Sequence, residues 1–391
     1  QDRRMSIEQK LHAKLRQRGA EGNRRHLSLA RSGAVDFCSN DYLGLARSTE
    51  LRRRIQAAYE ALPEASNGAT GSRLISGHSA LYEQLETKLA RLFGAEKTLV
   101  FNSGYAANAA VLSAVPQRGD TILYDEYIHA SLKEGARLSF AARFAFRHND
   151  LDDLDKKLRR ATGDAFVVVE SVYSMDGDAA PLRDLLDVCE RHGAHLVWDE
   201  AHSTGLWGTG GSGVACAQGL AERVFARVYT FGKAMGVHGA CVAGPAVLAD
   251  YLVNFARPFI YTTALPAHSL VSIGEAFNFL AEHPEWSEQL HRNVRFFRSE
   301  AARRPVLAER FVPSGSPIQA FRIGGNEATR QLANRLQSAG FDVRPILSPT
   351  VKAGEERLRI CLHAYNTEAE ISGLIQNCEF RNVRLAKPIQ D

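Results

Sequence analysis

The feature that most constrains the fold is an alternation of short apolar runs with amphipathic stretches between residues 97 and 244. Helical patterns separate several of the runs, and a clear one places apolar side chains at spacings of four, four and three residues, at Leu81, Leu85, Leu89 and Leu92. The predicted strands are 97–102, 121–125, 165–170, 195–199, 226–231 and 240–244. Strands that alternate with helices predict an α/β fold with a mostly parallel central sheet.

A second unit follows a helix-rich segment around residues 266–300. Its predicted strands are 318–323, 341–346 and 357–363, and the helical pattern "NEATRQLANRLQSAG" separates the first two. We therefore place a domain boundary near residue 285. The predicted division is an N-terminal segment at 1–45 that lines the substrate pocket, a large domain at 46–285 and a smaller C-terminal α/β domain at 286–391.

Polar residues at the ends of the predicted strands are the candidates for function, because ligands of open α/β sheets bind beyond the carboxyl ends of the strands. Ser103 and Gly104 follow the first strand, where a helix start suits a phosphate but is also an ordinary turn and cap. Asp199 ends the fourth strand, and His202 comes three residues later. Such an aspartate equally suits a helix cap or Mg²⁺.

One lysine, Lys233, follows the fifth strand in the stretch "TFGKAMGVHG". A lysine at a strand end is usually a solvated surface charge, but here small neighbours leave room for a bulky group beside the amine. Pyridoxal 5′-phosphate (PLP) requires an amine for a Schiff base, an anion opposite its pyridine nitrogen and a cradle for its phosphate. The three strand-end sites together fit this cofactor.

Eight sequence blocks, in order and spread over nearly the whole chain, resemble the α-oxoamine synthases among the fold-type I PLP enzymes. They are "DFCSNDYLGL", "SGYAAN", "DEYIHASLKEGARLS", "ESVYSMDGDAAPL", "WDEAHSTG", "TFGKAMGVHGA", "FIYTTALP" and "RLRICLHA". The resemblance implies an aspartate aminotransferase-like fold and PLP as the cofactor.

The same resemblance implies roles for residues around the cofactor ring. Lys233 is expected to form the Schiff base, and Asp199 to pair with the pyridinium nitrogen. His202 is expected to reach the ring hydroxyl and His129 to stack on the ring. Ser174 matches a polar contact near that hydroxyl.

Further positions match the family's phosphate site. Gly104, Tyr105 and Thr230 correspond to the phosphate cradle. Thr262 and Thr263 correspond to a segment that reaches the phosphate from the neighbouring subunit. A homodimer with shared active sites is thereby implied.

The substrate side of the site matches as well. Arg359 corresponds to the anchor of the amino-acid carboxylate, which a guanidinium grips with two hydrogen bonds, and Asn40 lies where the N-terminal segment lines the pocket. From the strand pattern alone, Arg357 and Arg359 are equally consistent with outward side chains on an edge strand.

The family joins an amino acid to an acyl thioester with loss of CO₂. The C-terminal run from "SPIQAF" to "YNTEAEI" is most similar to members that use L-alanine and a pimeloyl thioester of coenzyme A or acyl carrier protein in biotin synthesis. Sister members use glycine or serine, and departures at "TGSRLISGHS", which contains His78, and at His238 leave the acyl chain open. A non-catalytic partner subunit of this fold would be expected to lack Lys233.

Composition excludes several other classes. A net charge of +4 over 391 residues gives no basis for nucleic-acid binding. No apolar run reaches the roughly 18 residues that cross a membrane, and "QDRRMSIEQK" lacks the core of a secretion signal, so we expect a cytoplasmic protein. Six scattered cysteines without a CxxC pair predict neither a metal site nor a disulfide framework.

Overall fold

The computed structural model describes residues 5–27, 29 and 31–379; the ends of the predicted N-terminal and C-terminal units, at 1–4 and 380–391, lie outside the described residues. The strands are β1 (Val35–Asp36), β2 (Lys97–Phe101), β3 (Thr121–Asp125), β4 (Ala142–Phe146), β5 (Ala165–Glu170), β6 (His195–Asp199), β7 (Ala226–Thr230), β8 (Ala240–Gly244), β9 (Ile318–Arg322), β10 (Phe341–Asp342), β11 (Arg344–Ile346) and β12 (Arg357–Cys361).

The helices are α1 (Ile7–Ala20), α2 (Thr49–Glu60), α3 (Ala80–Leu92), α4 (Gly104–Ala114), α5 (Ala130–Leu138), α6 (Leu151–Leu158), α7 (Leu182–Arg191), α8 (Val214–Ala217), α9 (Ala246–Phe255), α10 (Arg257–Ile260), α11 (Ala267–Glu282), α12 (Glu285–Ala302), α13 (Pro305–Ala308), α14 (Asn326–Ser338) and α15 (Glu368–Cys378). None of the described helices is both long enough and apolar enough to cross a membrane.

Seven strands form the central sheet in the order β2, β8, β7, β6, β5, β3, β4. Neighbouring strands from β7 to β4 pair in parallel, whereas β8 runs antiparallel to both β7 and β2. Every residue of β5, with sequence AFVVVE, is buried, as expected for a β-branched strand with helices on both faces. The mostly parallel α/β sheet predicted from the sequence is confirmed.

The direction of β8 decides where the functional residues meet. The parallel strands, together with β2, all end at one edge of the sheet, and β8 begins at that same edge. The segment between β7 and β8, which contains Lys233, therefore lies beside the residues that follow the other strands. One edge of the sheet thus collects side chains from positions 103 to 233.

The sequence predicted six of the seven central strands, with ends correct to within one residue. It missed β4, whose sequence is ARFAF. This strand is the outermost strand on one side of the sheet, and four of its five residues are exposed. It therefore lacks the buried apolar pattern of the other strands. The predicted helices at 81–92 and 326–340 are confirmed as α3 and α14.

A second sheet, with the order β11, β12, β9, is antiparallel and places β12 in the middle. The predicted single strand 341–346 is wrong, because the chain divides it at the buried Val343. Its first half, β10, pairs in parallel with β1 near the N-terminus, while its second half, β11, pairs with β12. The N-terminal segment is thereby attached to the C-terminal part of the chain.

The predicted domain boundary near residue 285 falls between α11 and α12. One apolar cluster continues across it, from Phe279 of α11 to Leu290 of α12, and includes Phe37 of the N-terminal segment. A second cluster contains residues of the central strands, such as Val167 and Val168, and of helices packed on them, such as Leu112 of α4. The three-part division therefore stays a proposal about sequence organisation, since the parts share a core.

Gly177 lies where the loop after β5 meets β9. Its φ is +76°, and a Cβ atom there would lie 2.1 Å from the carbonyl oxygen of Ile318. We expect Gly177→Ala to lower the free energy of unfolding by about 2–4 kcal/mol, through left-handed strain and overpacking. Gly219→Ala is the matched control, since its φ is +66° but no atom lies within 4 Å of the added carbon. Equal urea midpoints for the two variants would contradict the expected clash.

Candidate active site

A cavity of about 280 Å³ opens at the edge of the central sheet where the parallel strands end. We call it the main cavity. Eight of the predicted site residues line it, namely Asn40, Gly104, Tyr105, His129, Asp199, His202, Thr230 and Lys233. Four others, Ser174, Thr262, Thr263 and Arg359, are not part of its lining. Most of the site residues predicted from the sequence therefore line the same cavity.

Lys233 projects from the turn between β7 and β8. Its carbonyl accepts a hydrogen bond from the Gly236 amide at 2.9 Å, which closes the turn. Among the residues that the structure describes, its side-chain amine has no hydrogen-bond or ion-pair partner. Burial lowers the pKa of Lys233, while Asp199 and Glu170 oppose that shift. The amine is therefore available for chemistry rather than used for structure.

The Asp199 carboxylate is buried and held by two donors. Oδ2 accepts from the Asn108 side chain and Oδ1 from the Ala201 amide, both at 2.8 Å. Turns rather than a helix follow Asp199, so the alternative of a helix cap is wrong. No group of potential ligands that could hold a metal ion is found within residues 5–27, 29 and 31–379. The carboxylate is thus fixed as an acceptor that faces the cavity.

Glu170 is a cavity residue that the sequence analysis missed. It is the register partner of Asp199 across β5 and β6, and its Oε1 accepts the His129 amide at 2.5 Å. Burial, together with the neighbouring Asp199 charge, raises the pKa of Glu170 well above its usual value. The signal was present in the sequence, because Glu170 ends its strand as Asp199 does.

His202 is buried beside the N-terminal segment. Its Nδ1 and the Tyr42 hydroxyl share a hydrogen bond of 2.8 Å. Burial, followed by the charges of Lys233 and Arg359, places the pKa of His202 well below its usual range. A neutral imidazole with one nitrogen bonded to Tyr42 presents its other nitrogen to the cavity. Tyr42 was also missed, since its neighbours in the sequence give no sign of its contact with His202.

His129 caps the N-terminus of α5. Its Nδ1 lies 2.8 Å from the Ser131 hydroxyl and accepts the Ser131 amide at 3.2 Å. Burial lowers the pKa of His129, and the charge of Lys233 adds to that effect while Asp199 opposes it. The ring is thereby oriented at the cavity wall in a largely neutral form.

The start of α4 forms a small concave surface. The Ser103 hydroxyl accepts the Ala106 amide at 3.3 Å, which confirms the predicted cap. A Cβ atom on Gly104 would lie 2.4 Å from Cγ2 of Thr230, so only glycine allows the helix start to approach β7 this closely. The first amides of a helix have no partner within it, which leaves donors for an anion at this surface.

Arg359 lies on the middle strand of the second sheet, so the alternative of an outward arginine on an edge strand is wrong. Its Nε donates to the Ser174 carbonyl at 2.5 Å, and its Nη2 donates to Asn40 Oδ1 at 2.9 Å. Arg357, two residues earlier, is buried and paired with Asp176. Arg359 thus reaches the main cavity through Asn40.

The remaining predicted residues contact their own chain. The Asn102 side chain donates to the Thr263 carbonyl at 2.8 Å and to the Thr262 hydroxyl at 3.5 Å. Ser174 is buried, and its carbonyl binds Arg359. The predicted contacts of all three with cofactor stay predictions.

The two histidines at departures from the family pattern lie in different places. His238 lines the main cavity and also a second cavity of about 410 Å³ between α2 and α11. His78 lies 2.9 Å from Arg73 and 3.4 Å from Glu83, and is not part of the lining of the main cavity. Of the two departures, the one at His238 therefore bears on ligand binding.

An α/β sheet with a lysine, a fixed carboxylate and a helix start at one edge defines a transferase of the fold-type I, PLP-dependent class. The family model for aminotransferase class I and II matches residues 32–377, and the chain belongs to this family. An 8-amino-7-oxononanoate synthase from Emericella nidulans is 42% identical over 94% of this chain and 93% of its own length. One from Chromohalobacter salexigens is 40% identical over 88% of each chain.

Solved structures agree on the fold. Serine palmitoyltransferase from S. paucimobilis with bound PLP–myriocin has a TM-score of 0.85 and 27% identity, covering 95% of this chain and 97% of its own. An 8-amino-7-oxononanoate synthase from Francisella tularensis has a TM-score of 0.75 and 27% identity, covering 89% and 97%. The predicted fold-type I class is confirmed.

The raised pKa of Glu170 gives a stability prediction. Because the unfolded chain releases this proton at a lower pH than the folded protein does, folding stability falls as the pH rises above the usual value of 4.5. We expect Glu170→Gln to remove that contribution and to be as stable as the parent or more stable at pH 7.5. Urea midpoints at pH 4 and 7.5 test this, with the exposed Glu64→Gln as control. A Glu170→Gln protein whose free energy of unfolding at pH 7.5 is lower than that of the parent by more than about 1 kcal/mol would contradict this expectation.

Proposed function

We propose that this chain is a PLP-dependent acyltransferase that condenses L-alanine with a pimeloyl thioester, releasing CO₂ and the thiol carrier to give 8-amino-7-oxononanoate, in biotin synthesis. The observation that carries the proposal is the 42% and 40% identity to curated 8-amino-7-oxononanoate synthases over about nine-tenths of both chains. The main cavity supports it, because each part that PLP requires is present there.

The residues of the main cavity fit the cofactor at three points. The unpartnered amine of Lys233 matches the aldehyde, and Asp199, held by Asn108 and Ala201, matches the pyridine nitrogen. The helix start at Gly104, in contact with Thr230, matches the phosphate. The 280 Å³ volume is close to the lower end of small-molecule sites, about 300 Å³.

When bound, PLP supplies a ring that accepts electrons from the bond broken at the substrate α-carbon. Lys233 takes and returns the α-carbon proton, a task for which a lowered pKa suits the amine. Asp199 holds the proton of the pyridine nitrogen through its fixed charge. His202 and His129, both with lowered pKa values, line the main cavity and would help to hold the ring.

Arg359 binds the carboxylate of the amino acid. Its guanidinium is already aligned by the Ser174 carbonyl and by Asn40, so little side-chain entropy remains to be lost on binding. Its pKa stays above the usual value, because nearby polar groups outweigh burial. A permanent positive charge beside the main cavity selects amino acids over simple amines.

A homodimer is part of the proposal. Exposed apolar side chains occur on three segments that hydrogen bonds tie together, since Gly71 binds Ala264 and Asn102 binds Thr263. These side chains are Leu74, Ile75, Tyr105 and Tyr261, exposed by 51%, 85%, 53% and 74%. Tyr105 also lines the main cavity, so a partner covering this surface would lie beside the phosphate site and bring its own Thr262 and Thr263 close.

A sister activity is the second candidate. Serine palmitoyltransferase structures match the backbone with a higher TM-score than the Francisella tularensis synthase does. Such an activity would keep the cofactor and Lys233 but take serine or glycine and another acyl chain. A non-catalytic subunit is disfavoured, because Lys233 is present with all its neighbours.

The substrate assignment is tested by direct binding and product analysis. Purified holoenzyme is titrated with L-alanine, glycine and L-serine, and then supplied with pimeloyl-CoA while CO₂ and free thiol are measured. We expect tightest binding for L-alanine and one CO₂ per thiol released with pimeloyl-CoA. A preference for serine or glycine with no response to pimeloyl-CoA would move the protein to the sister activity.

The role of Lys233 is tested by Lys233→Ala. We expect the variant to lose the yellow colour of covalently bound cofactor and turnover, since no other amine among the described residues lines the main cavity. Lys156→Ala, on the exposed face of α6, is the control and should keep both. A folded Lys233→Ala protein that turns over at the parental rate would remove the central assignment.

A further inference from the structure

The loop after β5, residues 171–180, connects the central sheet to the second sheet. We call it the connecting loop. It folds back on itself through a bridge between Val172 and Ala179, and the Tyr173 amide donates to the Asp178 carbonyl at 2.9 Å. The loop therefore has a base at Asp178 and a tip that includes Ser174.

The tip of the connecting loop binds β12 of the second sheet at two points and the segment before β9 at a third. The Ser174 carbonyl accepts from Arg359 Nε at 2.5 Å, and the Asp176 carboxylate pairs with the buried Arg357. The Gly177 carbonyl accepts from the Ser314 hydroxyl at 2.7 Å. The position of the tip therefore bears on the direction of the Arg359 guanidinium through the Ser174 carbonyl.

The base of the loop is held by His148, which follows β4. His148 Nε2 lies 2.7 Å from Asp178 Oδ2, and His148 Nδ1 lies 2.9 Å from Asp125 Oδ1 at the end of β3. A neutral imidazole has a single N–H group, so only the doubly protonated ring donates to both carboxylates. His148 thus ties the connecting loop to a rigid strand by charge-assisted bonds.

The surroundings keep this ring in place. Tyr127 stacks on it at 4.4 Å, and Tyr173 meets it edge-on at 4.5 Å. Asn149 donates to both carboxylates, through its side chain to Asp178 at 3.0 Å and through its amide to Asp125 at 2.9 Å. Glu126, which is paired with Lys352 at 3.1 Å, accepts the His148 amide at 3.4 Å.

Burial works against protonation of His148, but the hydrogen bonds that its ring donates to Asp125 and Asp178, together with the charges of these carboxylates, outweigh burial and raise its pKa to about 9. The ring is therefore charged at neutral pH. The stability that this charge gives the folded protein is fully present below pH 6.5, the usual pKa of histidine, and is lost as the pH rises through about 9.

We propose that His148 is a positioning residue for Arg359: by binding Asp178 against Asp125, it fixes the connecting loop whose Ser174 carbonyl aligns the guanidinium for the substrate carboxylate. The proposal rests on the proposed function of Arg359 as the carboxylate site. His148 acts through two intermediates and lies outside the lining of the main cavity.

The test compares ligands that differ only at the carboxylate. Calorimetry on the holoenzyme measures binding of L-alanine and of L-alaninol, which has a hydroxymethyl group instead. We expect His148→Gln to weaken L-alanine binding about tenfold and to leave L-alaninol binding unchanged. The KM for pimeloyl-CoA and kcat at saturating alanine should stay within about twofold. Equal losses for both ligands would mean a general structural defect and overturn the proposal.

Two further variants guard against misfolding. Asp178→Asn keeps the shape of the loop base and removes one charge, and should weaken L-alanine binding in the same direction. His192→Gln is the matched control. His192 also binds an aspartate, Asp155, at 2.8 Å, but it lies before β6, at the end of the sheet where the parallel strands begin. A His192→Gln effect as large as that of His148→Gln would overturn the proposal.

The pH profile provides an independent measurement. The ratio of L-alanine affinities between parent and His148→Gln should be largest near neutral pH and approach one above pH 9, where His148 is uncharged in the parent. A ratio that does not change across this range would contradict the role of the charged ring.

Arg359→Ala separates this inference from the proposed function. If Arg359→Ala leaves L-alanine affinity unchanged, the proposed carboxylate site is wrong, and the role of His148 falls with it. If Arg359→Ala weakens binding while His148→Gln and Asp178→Asn do not, the carboxylate site stands and the inference is wrong. In the Arg359→Ala background we expect His148→Gln to have no further effect on alanine, as for two residues that act through one contact.

Discussion

The interaction on which the active site depends is the placement of two carboxylates side by side at the end of the central sheet. Asp199 and Glu170 are register partners on adjacent parallel strands, and both are buried. Burial, and after it the like charge of Asp199, disfavours ionisation of Glu170 and raises its pKa. Asp199, with two donors of its own, is left as the acceptor that faces Lys233.

The same arrangement explains why the pKa values of several nitrogens in the cavity are lowered. Burial lowers the pKa values of Lys233, His129 and His202, and the positive groups act against one another in a small volume. Arg359, outside the lining, keeps its charge because it is surrounded by polar acceptors. The groups proposed for proton transfer and for carboxylate binding thus differ in the direction of their pKa shifts.

Local patterns predicted much of this structure. Apolar runs in the sequence predicted six strands of the central sheet, namely β2, β3, β5, β6, β7 and β8. The rule that ligands bind beyond the carboxyl ends of the strands pointed to Gly104, Asp199 and Lys233. The edge strand β4 has no such run, and the division of 341–346 depends on a partner, β1, some 300 positions away. Asn108 and Tyr42 were missed for a related reason: each acts through a contact with a residue distant in sequence, Asp199 and His202 respectively, which no local pattern contains. Glu170 was missed although it ends its strand as Asp199 does.

The two kinds of likeness to known proteins answer different questions. A TM-score compares backbones, and every transferase of this class must bring its strand ends to one edge. The TM-scores of 0.85 for the palmitoyltransferase and 0.75 for the synthase therefore compare backbone shapes and do not distinguish substrates. Of the residues near that edge, His238 belongs to the linings of both the main cavity and the second cavity. Sequence identity counts the side chains of the whole aligned chain, and it is 42% to an oxononanoate synthase against 27% to the palmitoyltransferase. The substrate is therefore better inferred from the sequence comparison, and the fold from the structural one.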